Sequence, residues 1–240
     1  HTRSASVSGL GDVYKRQVSR VLKTLDVDST ALGFSGGFPG DFIAQTLEDS
    51  NIQSDFVQVD EDTRINVKLK SGQETEINAP GPKVTHAQFE QLLSQIRRTT
   101  NDDIVIVAGS VPNSIPSDAY AQIAQITEKT GAQLVVDAEK DLVETVLPYR
   151  PLFIKPNKDE LEVMFNTTVK SDEDVIKYGK EILKKGAQSV IISLGGDGAI
   201  YVDQHQSIKA VNPQGHVVNT VGSGDSTVAG MVAGLSMGLN

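Results

Sequence analysis

From Asp103 onward the chain alternates short apolar runs with amphipathic ones. DIVIVAG (103–109) is followed by SDAYAQIAQITEKTG (117–131), QLVVDAE (133–139), PLFIKPN (151–157) and KDELEVMF (158–165). In the second of these, Ala121, Ile123, Ala124, Ile126 and Thr127 fall on one side of a helix, and Gly131 stands where the helix should stop. A further helix is expected over Glu173–Lys185, ending at Gly186 before the β-rich SVIISLG. Such alternation predicts a mostly parallel sheet with helices on both faces, whose ligands gather at the carboxyl ends of the strands. Five segments end strands: AGSVP (108–112), VDAE (136–139), IKPN (154–157), SLGGDG (193–198) and VGSGD (221–225).

One block breaks this rhythm. In TRINVKLKSGQETEINAPGP, Ile65, Val67 and Leu69 alternate with Arg64, Asn66, Lys68 and Lys70, and the chain then turns at Ser71 and Gly72 into a second, polar strand. Residues 62–82 are therefore expected to include a β hairpin with one wet face, serving as a lid or an interface.

Composition narrows the classes. The 240 residues carry a formal charge of −9, which argues against a nucleic-acid surface but leaves room for small anions held by loops. The absence of cysteine excludes disulfides, thiolate metal sites and a cysteine nucleophile, and it fits the cytoplasm. No apolar stretch is long enough to cross a membrane as a helix. The first 17 residues, HTRSASVSGLGDVYKRQ, lack both strand alternation and helical periodicity, so 1–17 is read as a non-native leader and 18–240 as the folded domain.

The chemistry concentrates in NTVGSGDSTVAGMVAG (219–234). Gly222, Ser223 and Gly224 leave backbone N–H groups open to a ligand, and the helix they introduce adds a positive dipole, an arrangement that favours an anion. Asp225 is then either the helix N-cap or a carboxylate doing chemistry beside a phosphate. The sequence has neither a P-loop nor a dinucleotide-binding glycine fingerprint, and its histidines are scattered.

Taken together, NTVGSGDSTVAGMVAG, IKPNKDE and SLGGDGA resemble, in order and spacing, three motifs of the ribokinase-like sugar kinases. DTRINVK, ETEINAPGP, AGSVP and VVDAE are most similar to the branch that phosphorylates fructose 1-phosphate, with the tagatose 6-phosphate kinases next to it. The resemblance implies a three-layer α/β/α fold with a small β lid. It also implies ATP and Mg²⁺ as cofactors and transfer of phosphate to the C6 hydroxyl of fructose 1-phosphate. Tagatose 6-phosphate is the other substrate to be considered, and a silent sugar-phosphate- or nucleotide-binding protein is the rival from a different class.

The resemblance also assigns roles. Asp225 is the base, and Gly222, Ser223 and Gly224 form the anion hole. Lys155, Asn157 and the run Ser193, Leu194, Gly195, Gly196, Asp197, Gly198 lie along the nucleotide. Asn157 and Glu160 hold Mg²⁺ through water, although the residues alone fit a helix-capping pair equally well. Arg64 grips the phosphate already on the sugar, and Gly109 and Ser110 hold sugar hydroxyls. Asp137 is left open between structure and function.

No partner beyond substrates and a second copy joined through the lid is implied. Two departures from the family pattern stand out. GDVYKRQ occupies the place of a Gly-Gly-Lys-Gly-x-Asn sugar loop, and the family's adenine-enclosing residues would follow Asn240. Both substrate subsites are therefore expected to be incomplete, and the sheet to lack strands.

Overall fold

The computed structural model describes residues 3–8, 17–65, 67–71, 73–77, 79–109, 111–213, 215 and 222–239. In chain order the elements are β1 (Arg3–Ser8), α1 (Gln17–Thr24), β2 (Ser29–Ser35), α2 (Gly37–Asp49), β3 (Gln53–Gln58), β4 (Val67–Ser71), β5 (Gln73–Ile77), α3 (His86–Ile96), β6 (Asp103–Ala108) and α4 (Ala119–Thr130). They continue with β7 (Gln133–Asp137), α5 (Lys140–Val146), β8 (Phe153–Ile154), α6 (Lys158–Phe165), α7 (Asp172–Lys185), β9 (Ser189–Ser193), β10 (Ala199–Asp203), β11 (Ser207–Ala210) and α8 (Ser223–Ser236).

Among the described residues one nine-stranded sheet runs in the order β11–β10–β9–β8–β7–β6–β1–β2–β3. From β9 to β3 all neighbours are parallel, whereas β10 and β11 run antiparallel at one edge. Alternation along each strand sorts side chains between two helical layers. Val105 and Val107, Leu134 and Val136, Ile154, and Val190 and Ile192 face the layer that contains α3, α4, α6 and α7. Ile104 and Ile106, Val135, Phe153 and Ile191 face the other way, onto Val18 and Leu22 of α1 and Val228, Ala229 and Val232 of α8. The expected three-layer α/β/α architecture with a mostly parallel sheet is present.

The helix ends follow local chemistry. α4 stops at Gly131, whose φ of +81 only glycine adopts readily. α7 begins one residue before its expected start, at Asp172, with the Ser171 hydroxyl accepting from the Asp174 amide, and its acidic first turn and lysine-rich last turn complement the dipole. Along α7, Gly179 leaves room for the sheet: a Cβ there would stand 3.0 Å from Val202 Cγ2 and 3.3 Å from both Ile192 Cδ1 and Val190 Cγ1. The expected hairpin is present as the antiparallel pair β4–β5, with Val67 opposite Ile77 and Ser71 opposite Gln73. Asn66, Gly72 and Asn78 lie outside the described residues.

The leader is where expectation and structure part. Residues 1–17 were expected to stand outside the fold and to leave the sheet short of strands. Instead Arg3–Ser8 forms β1, in parallel register with both β2 and β6, and Gln17 opens α1. β2 and β6 would otherwise each present an unpaired backbone edge in the middle of the sheet, and a ladder asks only for N–H and C=O groups at the right spacing. Side-chain alternation, the signal the segment lacks, is not required for that.

Gly186 supports the turn from α7 into β9. Its φ is +134, and a Cβ there would overlap the Leu147 carbonyl. Gly186→Ala is expected to cost more than about 1 kcal/mol, because strain and collision act together. Urea unfolding should register this as a lower midpoint at an unchanged m-value.

Candidate active site

The site grows from the register of two short strands. Val136 of β7 pairs with Ile154 of β8, so the next residues, Asp137 and Lys155, leave the sheet side by side. Val136 and Ile154 face the α3–α7 layer, and alternation turns Asp137 and Lys155 toward α8. There Lys155 Nζ lies 3.1 Å from Asp137 Oδ1, with the lysine side chain 7% and the carboxylate 19% exposed. The Lys155 amide donates to Val136 O at 3.1 Å, and the Gly109 amide donates to Asp137 O at 2.9 Å, which anchors both residues through their backbones.

α8 brings the glycine-rich loop to this pair. Gly222, in the left-handed region at φ +82, is the N-cap, and the Ser226 amide and hydroxyl both donate to its carbonyl at 2.9 and 2.8 Å. Asp225 is therefore the third helical residue and half-buried, so the N-cap reading of this carboxylate is excluded. Glycine takes this left-handed cap without steric cost, so the helix begins two residues before Asp225. A Cβ on Gly224 would stand 3.3 Å from Lys155 Nζ and 3.5 Å from Lys155 Cε. The lysine head thus occupies the space that a side chain at 224 would need, at the positive end of the helix.

On the other side of Lys155, Asn157 and Glu160 form a reciprocal capping box at the start of α6. The Asn157 amide donates to Glu160 Oε2 at 2.7 Å, and the Glu160 amide donates to Asn157 Oδ1 at 2.8 Å. Burial pushes the Glu160 carboxyl above its usual range, opposed by the Asn157 amide and by Lys155 and reinforced by Asp137 and Glu139. The Tyr120 phenol is raised in the same way by burial and by Asp137 and Glu139, and it donates to Gly109 O at 2.6 Å.

Asn157 also bridges to Ser193 at the end of β9, and the Ser193 amide donates to Pro156 O at 3.0 Å. From there the chain makes a tight turn through Leu194, Gly195, Gly196, Asp197 and Gly198 into β10. Gly195 and Gly196 are exposed, and nothing lies within 4 Å of a Cβ built on either. From behind, Asn212 Nδ2 donates to Gly195 O at 2.9 Å and Gly196 O at 3.3 Å.

Arg64, expected on the hairpin, precedes it. It follows the buried Thr63, whose hydroxyl accepts from the Gly36 amide at 3.0 Å and whose own amide donates to Gly36 O at 2.8 Å, at the start of α2. Arg64 thus lies toward the β2–β3 edge, on the far side of β8, β7, β6 and β1 from the β9–β10 hairpin that carries the 193–198 turn. Gly109, at φ +92, bends the chain at the end of β6, with its amide and carbonyl engaged as described. Ser110 lies outside the described residues. Asp137, left open by the sequence, is in the site. Its signal was its place directly after an apolar strand, the position that the other site residues share.

The whole of the chain from residue 16 to residue 240 matches the model of the pfkB family carbohydrate kinases. The chain belongs to the pfkB family. The match begins after β1, so that strand lies outside the matched segment. A 1-phosphofructokinase of Bacillus subtilis is 43% identical over 219 residues, covering 91% of this chain and 72% of that protein. A D-tagatose-1-phosphate kinase of Bacillus licheniformis is 37% identical over 222 residues, covering 92% and 73%. The crystal structure of a presumptive phosphofructokinase from Staphylococcus aureus superposes with a TM-score of 0.89 at 68% identity, covering 99% of this chain and 86% of that one. A carbohydrate kinase uses ATP as its phosphate donor, and the described residues can be tested against that demand.

They fit it. A buried ammonium stands at a helix N-terminus, and an open glycine shelf without side chains adjoins it through Asn157 and Ser193. Among the described residues no group of three or more His, Cys, Asp or Glu could hold a metal ion.

Glu160 ties the site to pH. With its folded-state pKa above the usual glutamate value of 4.5, the stability it contributes is full below that value and lost as pH rises through the raised one. Glu160→Gln retains an acceptor for the Asn157 amide without the charge. Scanning calorimetry should find it more stable than the parent at about pH 7, with the difference vanishing by about pH 4.

Proposed function

We propose that this protein transfers the γ-phosphoryl group of ATP to the C6 hydroxyl of fructose 1-phosphate, giving fructose 1,6-bisphosphate, as a cytoplasmic enzyme. The observation that carries the reading is the start of α8, where Gly224 abuts the buried Lys155 and Asp225 follows one residue later at the carboxyl ends of the strands. The likeness to a 1-phosphofructokinase over 91% of the chain supports the choice of sugar.

In this reading Asp225 orients the C6 hydroxyl and takes its proton late in the transfer, when the oxygen has become acidic. The amides of Gly222, Ser223 and Gly224, with the ammonium of Lys155, face the charge that develops on the moving phosphoryl group. The turn from Ser193 to Gly198 lies along the nucleotide, with Asn212 holding its carbonyls from behind. Arg64 takes the 1-phosphate of the sugar as a fork, and Gly109 and Ser110 align its hydroxyls. Asn157 and Glu160 hold waters around Mg²⁺, which when bound neutralises phosphate charge. The lid hairpin β4–β5 covers the sugar or joins a second copy.

The likeness to a D-tagatose-1-phosphate kinase makes the C4 epimer the second sugar to assay. A coupled assay of ADP release with fructose 1-phosphate, tagatose 1-phosphate and tagatose 6-phosphate tests the assignment. The highest kcat/KM is expected for fructose 1-phosphate, and preference for either tagatose ester reassigns the substrate. Release from none of the three favours a silent binding protein.

Asp225→Asn should cut kcat at least about a hundredfold while ATP affinity, read by calorimetry, changes little. Turnover within a few fold of the parent rejects the base. Arg64→Ala should raise KM for the sugar phosphate about ten- to a hundredfold, the worth of one charge-assisted contact, and leave KM for ATP nearly unchanged. An equal rise in both constants removes Arg64 from the sugar site.

A further inference from the structure

Lys155 reaches α8 from a strand end, and a lone lysine there has other places to go. Its ammonium is a flexible point charge on a four-carbon stem. What keeps it at 7% exposure against Gly224 is one carboxylate oxygen of Asp137 at 3.1 Å, and a glycine where any side chain would stand 3.3 Å from Nζ. Asp137 is itself fixed, by the β7–β8 register and by the Gly109 amide on its carbonyl. Glu160 lies close enough to Lys155 for the two charges to interact, which adds to the hold on the ammonium.

We infer that Asp137 is a positioning residue for phosphoryl transfer: together with the missing side chain at Gly224, it holds the Lys155 ammonium at the first turn of α8, where the phosphates of the donor bind. The inference rests on the nucleotide reading above. It differs from a general effect of charge in sign. A carboxylate that merely faced the nucleotide phosphates would repel them, and its removal would tighten ATP binding. A carboxylate that holds the ammonium in place weakens ATP binding when it is lost, because the lysine swings out toward solvent.

The test is a double-mutant cycle on ATP affinity, measured by titration calorimetry without sugar and with Mg²⁺ in excess. Lys155→Met should weaken ATP binding about tenfold or more, the worth of a charge-assisted contact. Asp137→Asn should weaken it by several fold in the presence of Lys155 and not at all in the Lys155→Met background. Thermal midpoints give an independent reading. Either single change leaves a buried partner uncompensated and should lower the midpoint by about 5–10 °C, and the double change should recover most of that loss.

Gly224→Ala gives a second variant that keeps both members of the ion pair, and alanine's preference for the helix offsets part of the strain on the lysine. Its methyl group should nevertheless weaken ATP binding by displacing Nζ. Tighter ATP binding in Asp137→Asn overturns the inference, as does an equal loss in both backgrounds of the cycle. So does a change confined to the Mg²⁺ concentration needed for half-saturation, which would put Asp137 on the metal's waters. If the parent binds ATP but phosphorylates no ketohexose phosphate, the choice of sugar fails while this cycle stays readable.

Discussion

A buried charge pair at the joint of two parallel strands governs the geometry of this site. An ammonium cannot be drawn out of water without a counter-charge, and a counter-charge cannot reach it unless the strands are in register. Here the pairing of Val136 with Ile154 supplies the register, and the ion pair of Lys155 with Asp137 occupies the step that follows. The helix α8 then closes on the pair through a glycine, which lets its first turn come within contact distance of the lysine head. The capping box of α6 begins two residues beyond Lys155, so the same strand end also orients Asn157 and Glu160.

The sheet distributes these parts along a line. At its centre stand β7, β8 and the approach of α8. Toward one edge, Ser193 continues β9 into the glycine turn. Toward the other, Thr63 binds the chain to the start of α2 and brings Arg64 to the same end of the strands. A parallel sheet makes such a line possible because its strands end at one rim, and loops with unrelated sequences can converge there.

Much of this was legible in the sequence. The alternation after Asp103 named the helices α4, α6 and α7 and the strands between them, because buried parallel strands and amphipathic helices leave distinct periodicities. The hairpin β4–β5 was legible from its period-two pattern. β8 was harder: the apolar run PLFIKPN suggested a longer strand than Phe153–Ile154, and Pro156, lacking an N–H, interrupts the ladder before it resumes at Asn157. β1 left no trace in its side chains, since its place depends on two neighbours with open edges. The pairing of Asp137 with Lys155 was out of reach for a related reason. Both residues could be seen to end strands, but which strand lies beside which, and in what register, is decided by packing across the whole sheet. The cap of α8 was left open by the sequence, because a left-handed glycine and a capping aspartate are competing solutions to the same problem.

Gly179 has a consequence far from any substrate. By lacking a side chain it lets α7 settle onto Val190, Ile192 and Val202, the backs of the two strands that carry the 193–198 turn between them. The height of that turn above the sheet is thus gauged by a helix on the far layer, which works as a shim whose thickness is a single hydrogen atom. A heritable change at this one codon would lift the hairpin as a unit. Under the proposed function it would act as a fault in nucleotide recognition, although the altered residue touches nothing but core.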